Sequence, residues 1–84
     1  MSKGADLKRG YAELRIGMSR EEVIQLFGRP DSERIRNGVE ILKWEVQEWK
    51  GFIRGGRMTR SVVVEFEDEK VVGYDGENIN VTTW

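Results

Sequence analysis

One short stretch, residues 16–31 (IGMSREEVIQLFGRPD), contains in order a helix start, an amphipathic helix, a helix stop and a turn. Ser19 and Glu22 have the spacing of a capping box, in which each side chain accepts a hydrogen bond from the other residue's backbone amide. Gly28 is expected to end the helix in the left-handed conformation, and Pro30 blocks its continuation. Between these signals the apolar residues follow the spacing of one helix face: Val23, Leu26 and Phe27.

The segments on either side predict one more helix and three strands. Upstream, Asp6 could cap a helix over residues 7–15, although Gly10 lowers helix propensity there by about 1 kcal/mol relative to alanine. Downstream, period-two alternation predicts strands at 39–49, 61–67 and 70–74. The residues predicted to face the core are Leu42, Trp44, Val46, Val62, Val64 and Phe66. We expect residues 31–38, with their Asn-Gly turn signal, to be a polar connection.

This order of elements predicts an α+β fold, with two N-terminal helices packed on one face of a three-stranded antiparallel sheet (ααβββ). A chain of 84 residues is the size of one domain. We place its core at about 7–75, between tails at 1–5 and 76–84.

The composition limits the kinds of chemistry that the chain can perform, and it says less about the fold. The chain has no cysteine and no histidine, so it lacks thiolate ligands, disulfides and the usual general base. We therefore expect a protein that is not an enzyme and needs no metal or cofactor. Net charge is −1, but residues 1–60 carry 13 basic and 9 acidic side chains, whereas residues 61–84 carry 1 and 6.

No apolar run approaches the roughly 20 residues of a membrane-spanning helix, and the N-terminus lacks the apolar core of a signal peptide. Two locations stay open on these grounds. The chain is cytoplasmic, or it is a mature domain whose targeting segment has been left off.

The run YAELRIGMSREEVIQLFGRPDS resembles the signature of the SmpA/OmlA family, the BamE-like small lipoproteins. The matching positions are Leu14, Ile16, Gly17, Met18, Ser19, Val23, Phe27, Gly28 and Pro30. Further positions match in the family's order in the predicted sheet: Trp44, Val64, Phe66, Lys70 and Val71. The resemblance covers about residues 11–75. It implies the ααβββ fold of the β-lactamase-inhibitor-protein (BLIP) repeats and a non-catalytic role at a cell envelope, holding partner proteins of a membrane-protein assembly or contacting lipid head groups.

We expect residues 50–60 (KGFIRGGRMTR) to form a long glycine-rich connection that is basic and partly apolar. Such a segment could contact a protein partner, bind an anionic lipid head group or nucleic acid, or be a plain solvated hairpin. The predicted partner-binding residues are Trp49, Lys50, Phe52, Ile53, Arg54, Arg57 and Arg60. A second cluster contains only carboxylates, which we expect on the solvated face of the sheet: Glu65, Glu67, Asp68 and Glu69.

The sequence thus favours a protein-interaction module, monomeric or a weak homodimer, with protein partners and potentially anionic lipid head groups. Three alternatives remain open. They are a cytoplasmic domain of the same fold, a nucleic-acid binder that uses residues 50–60, and an inhibitor-like domain that inserts a loop into an enzyme cleft. Nucleic acid is the less favoured ligand because the overall charge is slightly negative.

Overall fold

The computed structural model describes the backbone of residues 3–50 and 56–77, and the side chains of residues 7–47 and 59–77. It has two helices followed by four strands. Their bounds are α1 Lys3–Glu13, α2 Arg20–Phe27, β1 Ser32–Arg36, β2 Val39–Lys50, β3 Gly56–Glu67 and β4 Lys70–Glu77. The strands form one antiparallel sheet in the order β1-β2-β3-β4. The predicted α+β class is therefore correct, and the predicted number of strands is one too low.

Helix α1 begins and ends earlier than predicted, and it runs through Gly10 without interruption. The reason for a glycine there is packing, since Gly10 is buried against α2. A Cβ atom at this position would lie 2.7 Å from Cε1 of Phe27. Glycine thus lowers the helix propensity of α1 but lets the two helices approach each other closely.

Helix α2 has the predicted capping box. The Ser19 hydroxyl accepts a hydrogen bond from the Glu22 amide at 3.1 Å, and the Glu22 carboxylate accepts one from the Ser19 amide at 3.0 Å. The helix stop differs from the prediction. Gly28 has φ 83° and ψ −155°, a region that essentially only glycine occupies, rather than the left-handed helical conformation. Its amide still donates to the Ile24 carbonyl at 2.7 Å.

Strand β1 lies within residues 31–38, which were predicted to be a connection, and this prediction was wrong. The Asn37-Gly38 signal itself was correct, because both residues have positive φ (52° and 82°) and join β1 to β2 in a tight hairpin. All five residues of β1 are exposed. An edge strand with no buried position has no apolar alternation, which is why the sequence pattern did not reveal it.

Strands β2 and β3 are the longest elements, with twelve residues each. The connection predicted at residues 50–60 was too long, since β2 extends to Lys50 and β3 begins at Gly56. Strand β4 also extends past the predicted end at Tyr74, as far as Glu77. Register between β3 and β4 shifts at Glu65/Phe66.

The core lies between the helices and one face of the sheet, as predicted. Strands β2 and β3 contribute the predicted inward-facing residues, of which all but the half-buried Val46 are fully buried. Leu7, Leu14 and Val23 complete this core from the helix side, and Val71 completes it from β4. Trp44 is the largest buried side chain, and its indole N–H donates to the Gly28 carbonyl at 3.0 Å.

The Gly-Met-Ser segment before α2 lies along the outer edge of β4. The Gly17 amide donates to the Val71 carbonyl, and the Val71 amide donates to the Met18 carbonyl, both at 2.8 Å. Gly17 has φ 91°, which favours glycine, and Met18 packs against the core. These residues therefore hold the helices to the sheet, which gives the most distinctive part of the sequence a structural role.

Candidate interaction surfaces

A two-stranded ribbon extends beyond the rest of the sheet. Strands β2 and β3 pair continuously as far as Lys50↔Gly56. Pairing of β1 with β2 stops at Ser32↔Lys43, and pairing of β4 with β3 stops at Ser61↔Glu77. The pairs from Val46↔Arg60 to Lys50↔Gly56 therefore have no neighbouring strand among the residues that the structure describes. We call these residues, 46–50 and 56–60, the ribbon.

The ribbon contains four of the seven predicted partner-binding residues. Trp49 and Arg57 are register partners, and Lys50 pairs with Gly56. The side chains of these residues lie outside the described part of the chain, as do Phe52, Ile53 and Arg54 entirely. The structure thus places Lys50 and Arg57 on strands rather than in a connection, and Trp49 on β2 as predicted.

The predicted position of Arg60, the fourth of these residues, was wrong. It was expected in an exposed basic connection, but it lies at the base of the ribbon and is only 8% exposed. Along β3 it occupies the same face as Val62 and Val64, which point toward the helices. Its burial follows from this alternation, because β3 begins at Gly56, five residues before the start of the predicted strand.

Asp31 forms hydrogen bonds with the edge of β2 just before the ribbon begins. Its amide donates to the Lys43 carbonyl at 2.8 Å, and its carboxylate accepts from the Glu45 amide at 2.6 Å. Beyond Glu45, no strand in the described ranges pairs with this edge of β2.

The face of the sheet opposite the helices, which we call the outer face, is a second candidate surface. No helix in the described part of the chain packs against it. Its centre is apolar, with the half-buried Ile41 and Val63. The register places basic residues on one half of this face, on β1 and β2: Arg34, Arg36 and Lys43. It places acidic residues on the other half, on β3 and β4: Glu65, Glu67, Asp75 and Glu77.

Arg20 organises a cluster of charges at the start of α2. Its Nε donates to the Glu40 carboxylate at 2.8 Å, and its Nη2 lies 3.4 Å from the Glu33 carboxylate. The hydrogen bond to Glu40 raises the pKa of Arg20, and the nearby carboxylates act in the same direction. An open depression is lined by Arg20 and Glu40 together with Ile24. Because the guanidinium already binds two carboxylates of the sheet, this cluster joins α2 to β1 and β2.

The remaining sequence candidates are spread over the surface. Glu65 and Glu67 are exposed on the outer face, and Asp68 and Glu69 form the turn between β3 and β4. Among the described residues, no group of three or more carboxylates is arranged to hold a metal ion. Trp84 lies outside the described residues.

Sequence reasoning missed the charge separation of the outer face. The excess of acidic residues after position 60 was visible, but β1 was needed to place Arg34 and Arg36 on the opposite half. It also missed the Arg20 cluster, because residues separated in sequence form it. An arginine in the first turn of the predicted helix, next to two glutamates, was the available signal for that cluster.

Neither a protein-family model nor a curated protein matches this chain. In the described part of the chain, both helices are too short and too polar to span a bilayer. The resemblance to the SmpA/OmlA signature therefore remains a prediction based on the motif itself.

Proposed function

We propose that this chain is a non-catalytic protein-interaction module that contacts its partner through the ribbon. The observation that carries the proposal is that β2 and β3 pair beyond both neighbouring strands of the described ranges, 3–50 and 56–77. An isolated two-stranded hairpin is only marginally stable in water. Here the core anchors one end of the hairpin, next to Val46 and the buried Arg60.

The composition of the ribbon supports a protein partner. It contains Trp49 opposite Arg57, and tryptophan and arginine are the residues most enriched at protein–protein hot spots. In this proposal the partner is a component of a membrane-protein assembly at a cell envelope, which is the role that the SmpA/OmlA resemblance implies.

Burial of Arg60 weakens the alternative of nucleic-acid or anionic-lipid binding at this site. That alternative required a basic exposed segment with Arg60 among its cations. Arg60 is 8% exposed and lies on the helix-facing side of β3, so it does not belong to the exposed cations that could contact a phosphate. A phosphate-binding surface gains affinity with each cation that reaches the phosphates, so the remaining set is a weaker candidate.

The test is capture of partners from the envelope and soluble fractions of the source cell, run separately, with wild-type protein and two charge-matched variants. The ribbon variant carries Lys50→Glu and Arg57→Glu. The control variant carries Lys8→Glu and Arg9→Glu on the exposed side of α1. Both variants lose one lysine and one arginine and gain two glutamates, so net charge changes equally.

We expect a specific protein in the envelope fraction that the wild type and the α1 control retain and the ribbon variant loses. Thermal unfolding of all three proteins shows whether they remain folded. Equal capture by the two folded variants would contradict the proposed site. Capture restricted to the soluble fraction would leave the ribbon as the site and would contradict the envelope location.

A further inference from the structure

The outer face has two oppositely charged halves, and we propose that a second copy of this chain docks there, face to face. Arg34, Arg36 and Lys43 lie on the half formed by β1 and β2, where the one carboxylate among the described outer-face strand positions, Glu45, lies 3.4 Å from the Lys43 ammonium. The half formed by β3 and β4 carries four carboxylates, Glu65, Glu67, Asp75 and Glu77, and among its described side chains the one cation is Lys70 beside the β3–β4 turn. This surface is distinct from the ribbon and does not depend on the function proposed above.

The apolar centre gives the two copies a region of contact. Ile41 and Val63 occupy neighbouring outer-face positions on β2 and β3, and they share a shallow depression with Arg34 and Lys43. Both side chains are only half-buried in the single chain. Stacking of two sheets at a separation of about 10 Å would cover them further.

The arrangement of charges selects one symmetry. A two-fold axis parallel to the strands, between β2 and β3, places β1 and β2 of one copy over β4 and β3 of the other. The register then sets Arg34 diagonally across from Glu65 of the other copy and Lys43 diagonally across from Asp75, each twice as an isologous interface requires, whereas Arg36 lies over Lys70. A two-fold axis across the strands would instead place β1 over β1 and β4 over β4, and like charges would repel.

The size of the face predicts weak association. Four strands are about 19 Å wide and seven residues of strand are about 23 Å long, which gives a contact footprint on the order of 400–500 Å² for each copy. A standard stable interface buries about 800 Å² on each partner. We therefore expect a dissociation constant on the order of 10–100 µM, which should rise with salt because exposed charges contribute to the contact.

The test uses two complementary charge reversals on the outer face. The acidic-face variant carries Arg34→Glu and Lys43→Glu, and the basic-face variant carries Glu65→Lys and Asp75→Lys. These side chains are exposed except for that of Lys43, which is half-buried, so the fold should tolerate the changes. Each variant alone would oppose like charges twice, so its dissociation constant should rise by about tenfold or more in sedimentation velocity.

Mixing the two variants should restore a dimer of one copy of each, because the reversed residues of each copy then face opposite charges on the other. The control for general attraction is the α1 variant, Lys8→Glu and Arg9→Glu. Each of its two cation-to-anion changes lowers net charge by 2, so it and the acidic-face variant both fall from −1 to −5. Mixed with the basic-face variant, the α1 variant should form no comparable heterodimer.

Three results would overturn the proposal. The wild type could be monomeric up to concentrations of about 500 µM at low salt, well above the expected dissociation constant. Alternatively, the charge-reversed variants could self-associate like the wild type. Finally, the α1 variant could pair with the basic-face variant as well as the acidic-face variant does. Because none of these variants alters the ribbon, loss of self-association leaves the test of the proposed function unaffected.

Discussion

Replacing Gly10 by alanine should destabilise the protein, although helix propensity alone predicts the opposite. In the interior of an exposed helix this change would stabilise α1 by about 1 kcal/mol. Here the new Cβ would lie 2.7 Å from Cε1 of Phe27 and 3.0 Å from Cδ1 and Cζ. The Phe27 ring packs against the Trp44 ring, with centroids 4.9 Å apart, so Trp44 restricts movement away from α1. Trp44 is itself held by its hydrogen bond to Gly28.

Overpacking of this kind typically destabilises by about 1–3 kcal/mol. After the gain in propensity is subtracted, Gly10→Ala should lower the free energy of unfolding by about 1 kcal/mol, or Tm by about 4–8 °C for a domain of this size. The assay is chemical and thermal unfolding followed by circular dichroism. Ala12→Gly, at an exposed position of the same helix, measures the propensity effect without the contact.

The same Gly10→Ala substitution in a Phe27→Leu variant tests the packing explanation separately from helix propensity. With Phe27→Leu the ring is gone, so Gly10→Ala should become neutral or stabilising, by up to about 1 kcal/mol. The sign of the effect should therefore depend on residue 27. If Gly10→Ala stabilised the wild-type protein by as much as Ala12→Gly destabilises it, the packing explanation for Gly10 would be refuted.

Two further predictions concern the turn after β3 and the start of α2. Asp68 and Glu69 have φ of 52° and 63°, so replacing them with Asn-Gly should stabilise the hairpin by about 0.5–1 kcal/mol, and an unchanged or lower Tm would contradict this. Ser19→Ala should lower the free energy of unfolding by about 1 kcal/mol through loss of the cap. The hydrogen bond from the Ser19 amide lowers the pKa of Glu22, so its contribution to stability should be present above about pH 4.3 and lost as pH falls through the folded-state pKa. Glu22→Gln should remove this part of the pH dependence, and an unchanged stability profile in acid would argue against it.

The elements that the sequence predicted well are those with strong local signals. The capping box at Ser19 and Glu22, the Asn37-Gly38 turn and the alternation from Val62 to Phe66 each depend on neighbours in sequence. Local chemistry is sufficient to specify such features, because their hydrogen bonds and buried faces lie within a few residues.

The features that were missed depend on tertiary structure. Strand β1 is fully exposed, so only its pairing with β2 defines it. Gly10 suggested a weak helix because the Phe27 ring that requires it belongs to another element. Arg60 was assigned to the basic connection at residues 50–60, whereas its burial is set by the length of β3.

The same limit applies to the candidate surfaces. The sequence identified Trp49, Lys50 and Arg57 as unusual, but their common position on the ribbon follows from the register of β2 and β3. The two charged halves of the outer face become visible only when four strands are placed side by side. Both candidate surfaces therefore depend on how the strands are arranged rather than on a short motif.

Site-specific photocrosslinking in the source cell tests the central claim, partner contact through the ribbon, most directly. A photoreactive amino acid would replace Arg57 in the ribbon in one protein and Gln25, an exposed residue of α2, in a control. We predict a discrete adduct with one envelope protein from position 57 and none from position 25. Absence of any adduct from position 57 in a folded, expressed protein, or an identical adduct from both positions, would contradict the ribbon as the binding site.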